Sequence, residues 1–173
     1  GTLGGGGVGG GSGGATGFTI TSPDHMDGAK FADVYTCAAT GDLAKALLPE
    51  LNWTDGPAGT KSYAITFIDR TLTPDTNAYH WAIWNIPTTV KQLPEGFKDA
   101  GTIGAKASSD FLGPCPGLGK GGTDNYDFTI YALKSEMTTV SGTRTAAVKA
   151  AEPIFKADAL ATAKLTGTSD ASP

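Results

Sequence analysis

The sequence predicts a mostly β fold, with two antiparallel sheets packed as a β-sandwich-like domain carrying a few peripheral and C-terminal helices. Three observations lead to this class. Most of the chain consists of short alternating or wholly apolar segments, and Gly- and Pro-containing turns separate them. Only from Thr145 onward does the composition change to Ala, Lys and Leu, which favour helix. A chain of 173 residues is long enough for one domain with a sizeable core.

The first 17 residues differ from the rest in composition. Eleven of these 17 residues are glycine and none is charged. Such a segment cannot bury enough apolar surface to offset the loss of chain entropy on folding. We therefore expect a flexible tether at 1–17, a folded domain at 18–167 and a C-terminal tail at 168–173.

The N-terminal part of the domain predicts short strands. Segments 18–22 and 30–36 alternate apolar and polar residues, as strands with one exposed face do. A short helical turn is expected at 42–48 and a further short strand at 51–54. The Asp-Gly-Pro sequence that follows predicts a turn.

The central part predicts the middle of a sheet. Segments 62–69 and 79–86 are apolar on both faces, which is typical of strands buried on both sides. Pro87 ends the second of them. The Gly-, Ser- and Pro-rich stretch 94–116 predicts a long ordered loop, a feature that is often functional in a compact domain. Segment 125–133 alternates most clearly and predicts a further strand.

The C-terminal part predicts two helices. Proline lacks the N–H that a helix interior requires, so Pro153 should interrupt the helical pattern. We expect one helix at about 144–152 and another at about 153–164, with Gly167 beyond its end.

Charge and motifs exclude several functions. The net charge is −4, the pI is about 5.0 and basic residues do not cluster, so nucleic acid is not expected as a partner. No apolar run approaches the ~20 residues that cross a bilayer. The sequence lacks a nucleophile elbow, a Cys/His pair and a phosphate-cradling loop. We expect a protein that is not an enzyme and has no cofactor.

The two cysteines and the tether indicate the cellular compartment in which the protein functions. Cys37 and Cys115 are compatible with one disulfide in an oxidising compartment, or with two buried thiols. A glycine-rich tether suits an exported protein held away from a surface, with a lipid anchor upstream. We expect an extracytoplasmic protein, whether periplasmic, cell-surface or secreted; a cloning remnant is the alternative origin of the tether.

Two polar residues mark the ends of the buried central strands. Asp69 ends one strand, and His80, one of two histidines in the chain, opens the next between Tyr79 and Trp81. A carboxylate and an imidazole so placed can converge on one pocket. The alternatives are a strand-end turn carboxylate and a hydrogen-bonded core histidine.

Several motifs, in this order, resemble the phosphatidylethanolamine-binding protein family, and most closely its bacterial and archaeal Raf-kinase-inhibitor-like branch. The resemblance covers roughly 18–167. It is carried by Tyr35-Thr36-Cys37, Leu51-Asn52-Trp53, Asp69, Tyr79-His80-Trp81, Asn85-Ile86-Pro87, Gly113-Pro114-Cys115-Pro116, Tyr126-Asp127-Phe128, Tyr131-Ala132-Leu133 and Ala163-Lys164-Leu165-Thr166-Gly167.

The resemblance implies a shallow pocket that binds phosphate-bearing or other small anions. Its lining would include Asp69, His80, Gly113, Pro114 and Tyr126, with His80 and Tyr126 supplying hydrogen-bond donors.

One pocket position departs from the family pattern. Asp124 stands where the family usually has a pocket histidine, and Asn125 stands where it usually has an arginine. A carboxylate beside Asp69 should repel an anion or raise the pKa of one of the two carboxyl groups. We therefore include Asp124 among the candidate ligand-binding residues.

Three functions from different classes follow. The first is a non-enzymatic pocket for a small anion or polar molecule. The second is a protein-interaction or inhibitor module, acting on a protein partner through the rim loops 70–78 and 94–124. The third is a metal site formed by Asp69, His80 and Asp124, a ligand set that some divalent metals accept. The oligomeric state stays open.

Overall fold

The protein is described by a computed structural model over residues 17–137 and 140–173, so most of the segment predicted as a tether lies outside the described residues. The described part contains eight strands and one α-helix, with 3₁₀ turns between them. In chain order these are β1 (Ile20–Thr21), β2 (Leu51–Trp53), β3 (Ser62–Asp69), β4 (Tyr79–Ile86), β5 (Gln92–Leu93), β6 (Lys106–Ala107), β7 (Asp124–Leu133), α1 (Arg144–Asp158) and β8 (Ala159–Ser169).

The strands form two antiparallel sheets, which confirms the predicted fold class. The smaller sheet has the order β1-β2-β5, and the larger one β6-β4-β3-β7-β8. Strand β3 lies in the middle of the larger sheet and is buried at every position, as its apolar residues on both faces predicted.

The larger sheet separates two apolar cores. Tyr63, Ile65 and Phe67 of β3 face the smaller sheet, where they join the main core. Ala64 and Ile68 alternate to the opposite face and pack under α1. No helix among the described residues has the length and apolar character needed to cross a bilayer.

The strand predicted at 30–36 is wrong. This segment contains a 3₁₀ turn at Asp33–Tyr35, and Lys30 makes only an isolated bridge to Thr168. The buried residues are Phe31, Tyr35 and Thr36, while residues 32–34 are exposed. This spacing matches a turn and does not match the two-residue repeat of a strand.

The helix predicted at about 144–152 is confirmed as part of α1, but the predicted break at Pro153 and the second helix to 164 are wrong. Helix α1 is continuous and contains Pro153, which lies on its exposed side, where the carbonyl left without an intrahelical partner can be solvated. Residues 159–169 form β8, which pairs with the whole length of β7. Helix propensity is a weak prior, and pairing with a long neighbouring strand overrides it here. Strand β8 includes Thr168 and Ser169, so the first part of the predicted tail pairs with the sheet.

Candidate ligand-binding site

Three strand ends meet at one edge of the larger sheet. Because β3 is antiparallel to both neighbours, its C-terminal end lies beside the N-terminal ends of β4 and β7. Asp69 is paired with Tyr126 of β7, and Ile68 is paired with Tyr79, the residue before His80. The strand order therefore brings Asp69, His80 and Tyr126 together.

A cavity of about 540 Å³ opens at this edge. Asp69, His80 and Tyr126 contribute to its lining. Its apolar wall comes from Leu43, Leu72, Leu112, Cys115, Pro116 and Leu118, and its remaining lining from Asp75, Asn77, Gly119, Lys120, Arg144 and Thr145.

Gly113 and Pro114 lie behind the cavity wall and are not part of its lining. A Cβ atom on Gly113 would lie 2.6 Å from the carbonyl oxygen of Tyr35, so only glycine fits this close approach. The Pro114 carbonyl accepts a hydrogen bond from the Cys37 N–H at 3.1 Å. These contacts hold the wall of the cavity in place.

His80 is neutral and its Nδ1–H is already engaged. Nδ1 lies 2.9 Å from the Leu112 carbonyl oxygen, which can only accept, so Nδ1 carries the proton. Burial lowers the pKa of His80, although the carbonyls of Leu112 and Gly113 and the charge of Asp124 act to raise it. His80 therefore does not act as the cation that an anion pocket would use.

Asp69 is held by several hydrogen bonds. Its Oδ1 accepts from the backbone N–H of Thr71 at 2.9 Å and of Leu72 at 3.2 Å. Burial, together with the charges of Asp69 and Asp124, raises the pKa of the Tyr126 hydroxyl. Of the two donors expected from the sequence, His80 is thus engaged within the protein.

Asp124 forms a buried carboxyl pair with Asp69. The exposed fractions of Asp124 and Asp69 are 5% and 1%, and Asp69 is paired in register with Tyr126, two residues after Asp124. Burial and the adjacent Asp124 raise the pKa of Asp69 to about 7.

The cation next to Asp69 in sequence does not reach the cavity. Arg70 points to the opposite face of the sheet, where its Nε lies 3.0 Å from Asp127 Oδ2 and its Nη2 lies 2.9 Å from Glu152 Oε2. The cations that line the cavity are Lys120 and Arg144, both exposed. Sequence reasoning missed these two, because nothing local relates the start of α1 to the end of β3.

A disulfide closes the wall of the cavity. Cys37 and Cys115 are bonded, with their Cα atoms 5.4 Å apart, and Cys115 contributes to the cavity lining. The sulfur of Cys115 is therefore not a free nucleophile. Over the described residues, no group of three or more His, Cys, Asp or Glu side chains is arranged to hold a metal ion, so Asp69, His80 and Asp124 do not form such a group.

Comparison with known proteins finds one family. Residues 21–170 match the model of the family described as phosphatidylethanolamine-binding protein. The chain is 29% identical over 162 residues to the UPF0098 protein YbcL of Escherichia coli K12, covering 88% of this chain and 87% of YbcL. It is 30% identical over 130 residues to the UPF0098 protein YbhB of the same organism, covering 70% of this chain and 81% of YbhB.

A solved structure shows the same fold. The crystal structure of E. coli YbcL, described as a new member of the mammalian PEBP family, superposes with a TM-score of 0.70 at 27% identity. The superposition covers 88% of this chain and 98% of that chain.

Proposed function

This chain belongs to the phosphatidylethanolamine-binding protein family, as its motifs predicted, and from that premise we propose that it is a non-enzymatic binding protein for a small ligand. The observation that carries the proposal is the cavity of about 540 Å³ at the meeting point of Asp69, His80 and Tyr126. Pockets that enclose small molecules commonly measure about 300–1,000 Å³.

The lining indicates an anion or a polar molecule bearing an anionic group, such as a phosphate headgroup. Lys120 and Arg144 supply positive charge at exposed positions, and Leu72 and Leu112 supply an apolar wall. An anionic group would lie against the two cations while the rest of the ligand packs on the leucines.

The engaged groups of the pocket support a role without turnover. The N–H of His80 donates to a backbone carbonyl rather than to a carboxylate, so no acidic partner orients this imidazole as a general base. The sulfur of Cys115 is held in a disulfide. An activated nucleophile needs a base and an orienting group within hydrogen-bond reach, and these contacts do not provide them.

The disulfide also supports the proposal that the protein works outside the cytoplasm. Bonds of this kind persist mainly in oxidising compartments. Cys37 and Cys115 are buried and bonded here, so their state agrees with a periplasmic, cell-surface or secreted protein.

A phosphate monoester tests the binding function. We expect methyl phosphate, titrated at pH 6, to shift the NMR amide signals of residues 69–72, 112–120 and 126. His80→Asn should weaken this binding at least tenfold without unfolding the protein, because an asparagine amide can still donate to Leu112 while the rest of the ring surface is lost.

The other histidine provides the matched control. His25 is also buried, and its Nε2 donates to the Thr166 carbonyl at 2.8 Å, but it does not line the cavity. His25→Gln keeps that donor and should leave the affinity for methyl phosphate unchanged. Signal shifts outside the cavity, or an affinity that His80→Asn does not alter, would contradict the proposal.

A protein partner is the second candidate function, favoured by exposed apolar residues at the mouth of the cavity. Leu72 and Leu118 both belong to the lining, and their exposed fractions are 38% and 62%. Exposed apolar side chains beside a pocket are a feature of protein-binding surfaces. This surface would act through the rim loops and not through the buried floor.

Affinity capture from extract of the source organism tests this candidate. We expect the wild-type protein to retain a partner that a Leu72→Ser/Leu118→Ser variant loses. Met26→Ser is the matched control, because Met26 is exposed to a similar extent, 60%, and lies outside the cavity lining. Capture of the same proteins by all three baits would exclude the rim as an interface.

A further inference from the structure

We propose that the buried carboxyl pair of Asp69 and Asp124 makes this pocket proton-dependent: an anionic ligand binds while the pair holds one proton and is released when that proton is lost. The inference rests on the proposed ligand-binding function. It assigns Asp124, which does not line the cavity, a positioning role that acts through Asp69.

The sheet register places the two carboxyl groups side by side. Asp69 is directly opposite Tyr126, and Asp124 precedes Tyr126 by two residues on the same face of β7. Diagonal neighbours of this kind are within reach of each other across an antiparallel pair. Both side chains are buried beneath the cavity, so water cannot screen one carboxylate from the other.

Among the residues that the structure describes, the groups around the pair supply hydrogen bonds but no buried counter-charge. Backbone N–H groups after β3 donate to Asp69, and Tyr126 lies opposite it in β7. His80 on β4 is neutral, and Arg70 is paired with carboxylates on the other face of the sheet. The remaining charged groups of the cavity, Asp75, Lys120 and Arg144, are exposed.

Without a buried cation, two adjacent carboxylates are unfavourable, and one proton is retained to higher pH. Burial and Asp124 raise the pKa of Asp69 to about 7, in agreement with this geometry. Losing the shared proton adds one negative charge to the cavity floor. Because Asp69 contributes to the cavity lining, that charge acts against an anion bound in the same cavity.

The sign of the pH effect follows directly. An anion that binds only the singly protonated pair gains affinity as the pH falls, because protonation removes charge from the floor. With a pKa of about 7, the protonated fraction falls about tenfold between pH 6 and pH 8, and the affinity for the anion falls with it. A cationic ligand should show the opposite trend.

Two small probes, one anionic and one cationic, test the opposite pH trends expected for the two kinds of ligand. Sulfate and ethylammonium keep their charges throughout pH 6–8, so any change in affinity comes from the protein. We expect sulfate to bind about tenfold more weakly at pH 8 than at pH 6, and ethylammonium to bind more tightly at pH 8. Affinities are measured by NMR titration of the amide signals around the cavity.

Two variants distinguish the shared proton from a merely structural role of Asp124. Asp124→Asn keeps a polar side chain of the same size beside Asp69 but removes the second carboxyl group, so the sulfate affinity should become independent of pH at about the wild-type pH 6 value. Asp75→Asn is the matched control: it removes an exposed carboxylate of the cavity and keeps the cap to Asn77. It should strengthen sulfate binding at both pH values and leave the pH dependence intact.

Titration of the carboxyl groups in the protein without ligand tests the inference even where the probes bind weakly. Carboxyl ¹³C signals should show one aspartate of the wild type titrating near pH 7, and this step should be absent in Asp124→Asn. Equal sulfate affinity at pH 6 and pH 8, or no carboxyl titration in this range, overturns the inference while the binding function stands. If sulfate, ethylammonium and methyl phosphate all fail to bind at either pH, the proposed function fails and the inference fails with it.

Discussion

Removing the disulfide is expected to lower the free energy of unfolding by roughly 4 kcal/mol. Cys37 and Cys115 are separated by 78 residues, so their bond removes a large part of the freedom of the denatured chain. Cys37→Ala/Cys115→Ala is the suitable variant, because the pair packs in an apolar cluster with Ala171 and Leu43, where serine would bury a hydroxyl group. Urea unfolding, read as the midpoint and slope, measures the change.

The same disulfide should affect ligand binding. Cys115 contributes to the cavity lining, and the backbone N–H of Cys37 donates to the carbonyl of Pro114, the residue before Cys115. We therefore expect the double variant to bind methyl phosphate more weakly even at temperatures where it remains folded. Leu43→Ala, which reduces the same apolar cluster without cutting the cross-link, is the control. If the double variant loses no more stability than Leu43→Ala, the bond does not constrain the denatured chain as argued.

Loss of the Arg70 guanidinium is the second large effect, and we expect Arg70→Met to cost about 3 kcal/mol. Arg70 bridges Asp127 and Glu152, whose side chains are only 12% and 9% exposed. Without it, two buried carboxylates retain only longer contacts from Lys164, at 3.3 Å, and Lys156, at 3.6 Å. The uncompensated negative charge drives the loss, which chemical unfolding at neutral pH measures.

Replacing the two buried carboxylates that Arg70→Met leaves without their arginine should restore the free energy of unfolding. A triple variant, Arg70→Met with Asp127→Asn and Glu152→Gln, keeps similar side-chain volumes without buried ions and should recover most of the loss. Lys30→Met provides the comparison at the surface, because the Lys30–Asp170 pair is more than half exposed on both sides and should contribute far less. An equal loss at both sites would show that burial does not set the strength of the Arg70 network.

This network also explains how the helix reaches the site. Glu152 belongs to α1 and Asp127 to β7, so Arg70 fixes the helix to the sheet beside Asp69. The first residues of that helix, Arg144 and Thr145, contribute to the cavity lining. We therefore expect Arg70→Met to disturb ligand binding as well as stability.

The local sequence pattern predicted the structure of a segment correctly where contacts with remote segments did not change it. The residues of β3 and β4 are apolar on both faces, which is typical of strands buried on both sides of a sheet. Their end residues, Asp69 and His80, are therefore at one edge of the sheet whatever lies around them. The alternation of segment 125–133 predicted β7, and the resemblance to the family assigned Tyr126 to the pocket.

Local pattern failed where a remote partner decided the outcome. The Ala- and Lys-containing segment 159–164 has helix-forming residues, yet it is a strand because β7 offers a long edge with which it pairs. Gly113 was assigned to the pocket, whereas contact with Tyr35 places it behind the wall. The sequence did not indicate Lys120 and Arg144 as site residues, because the segments that carry them lie near Asp69 only in the folded chain.

The amino-acid sequence by itself therefore determined the fold class, the family, the central strands and the three strand-end residues, because side-chain periodicity and turn residues act over a few positions. Tertiary structure alone decided which strand covers β7, which cations reach the cavity, and that Asp69 and Asp124 are buried together. The physical reason is that burial and charge pairing depend on the distances between segments far apart in the chain.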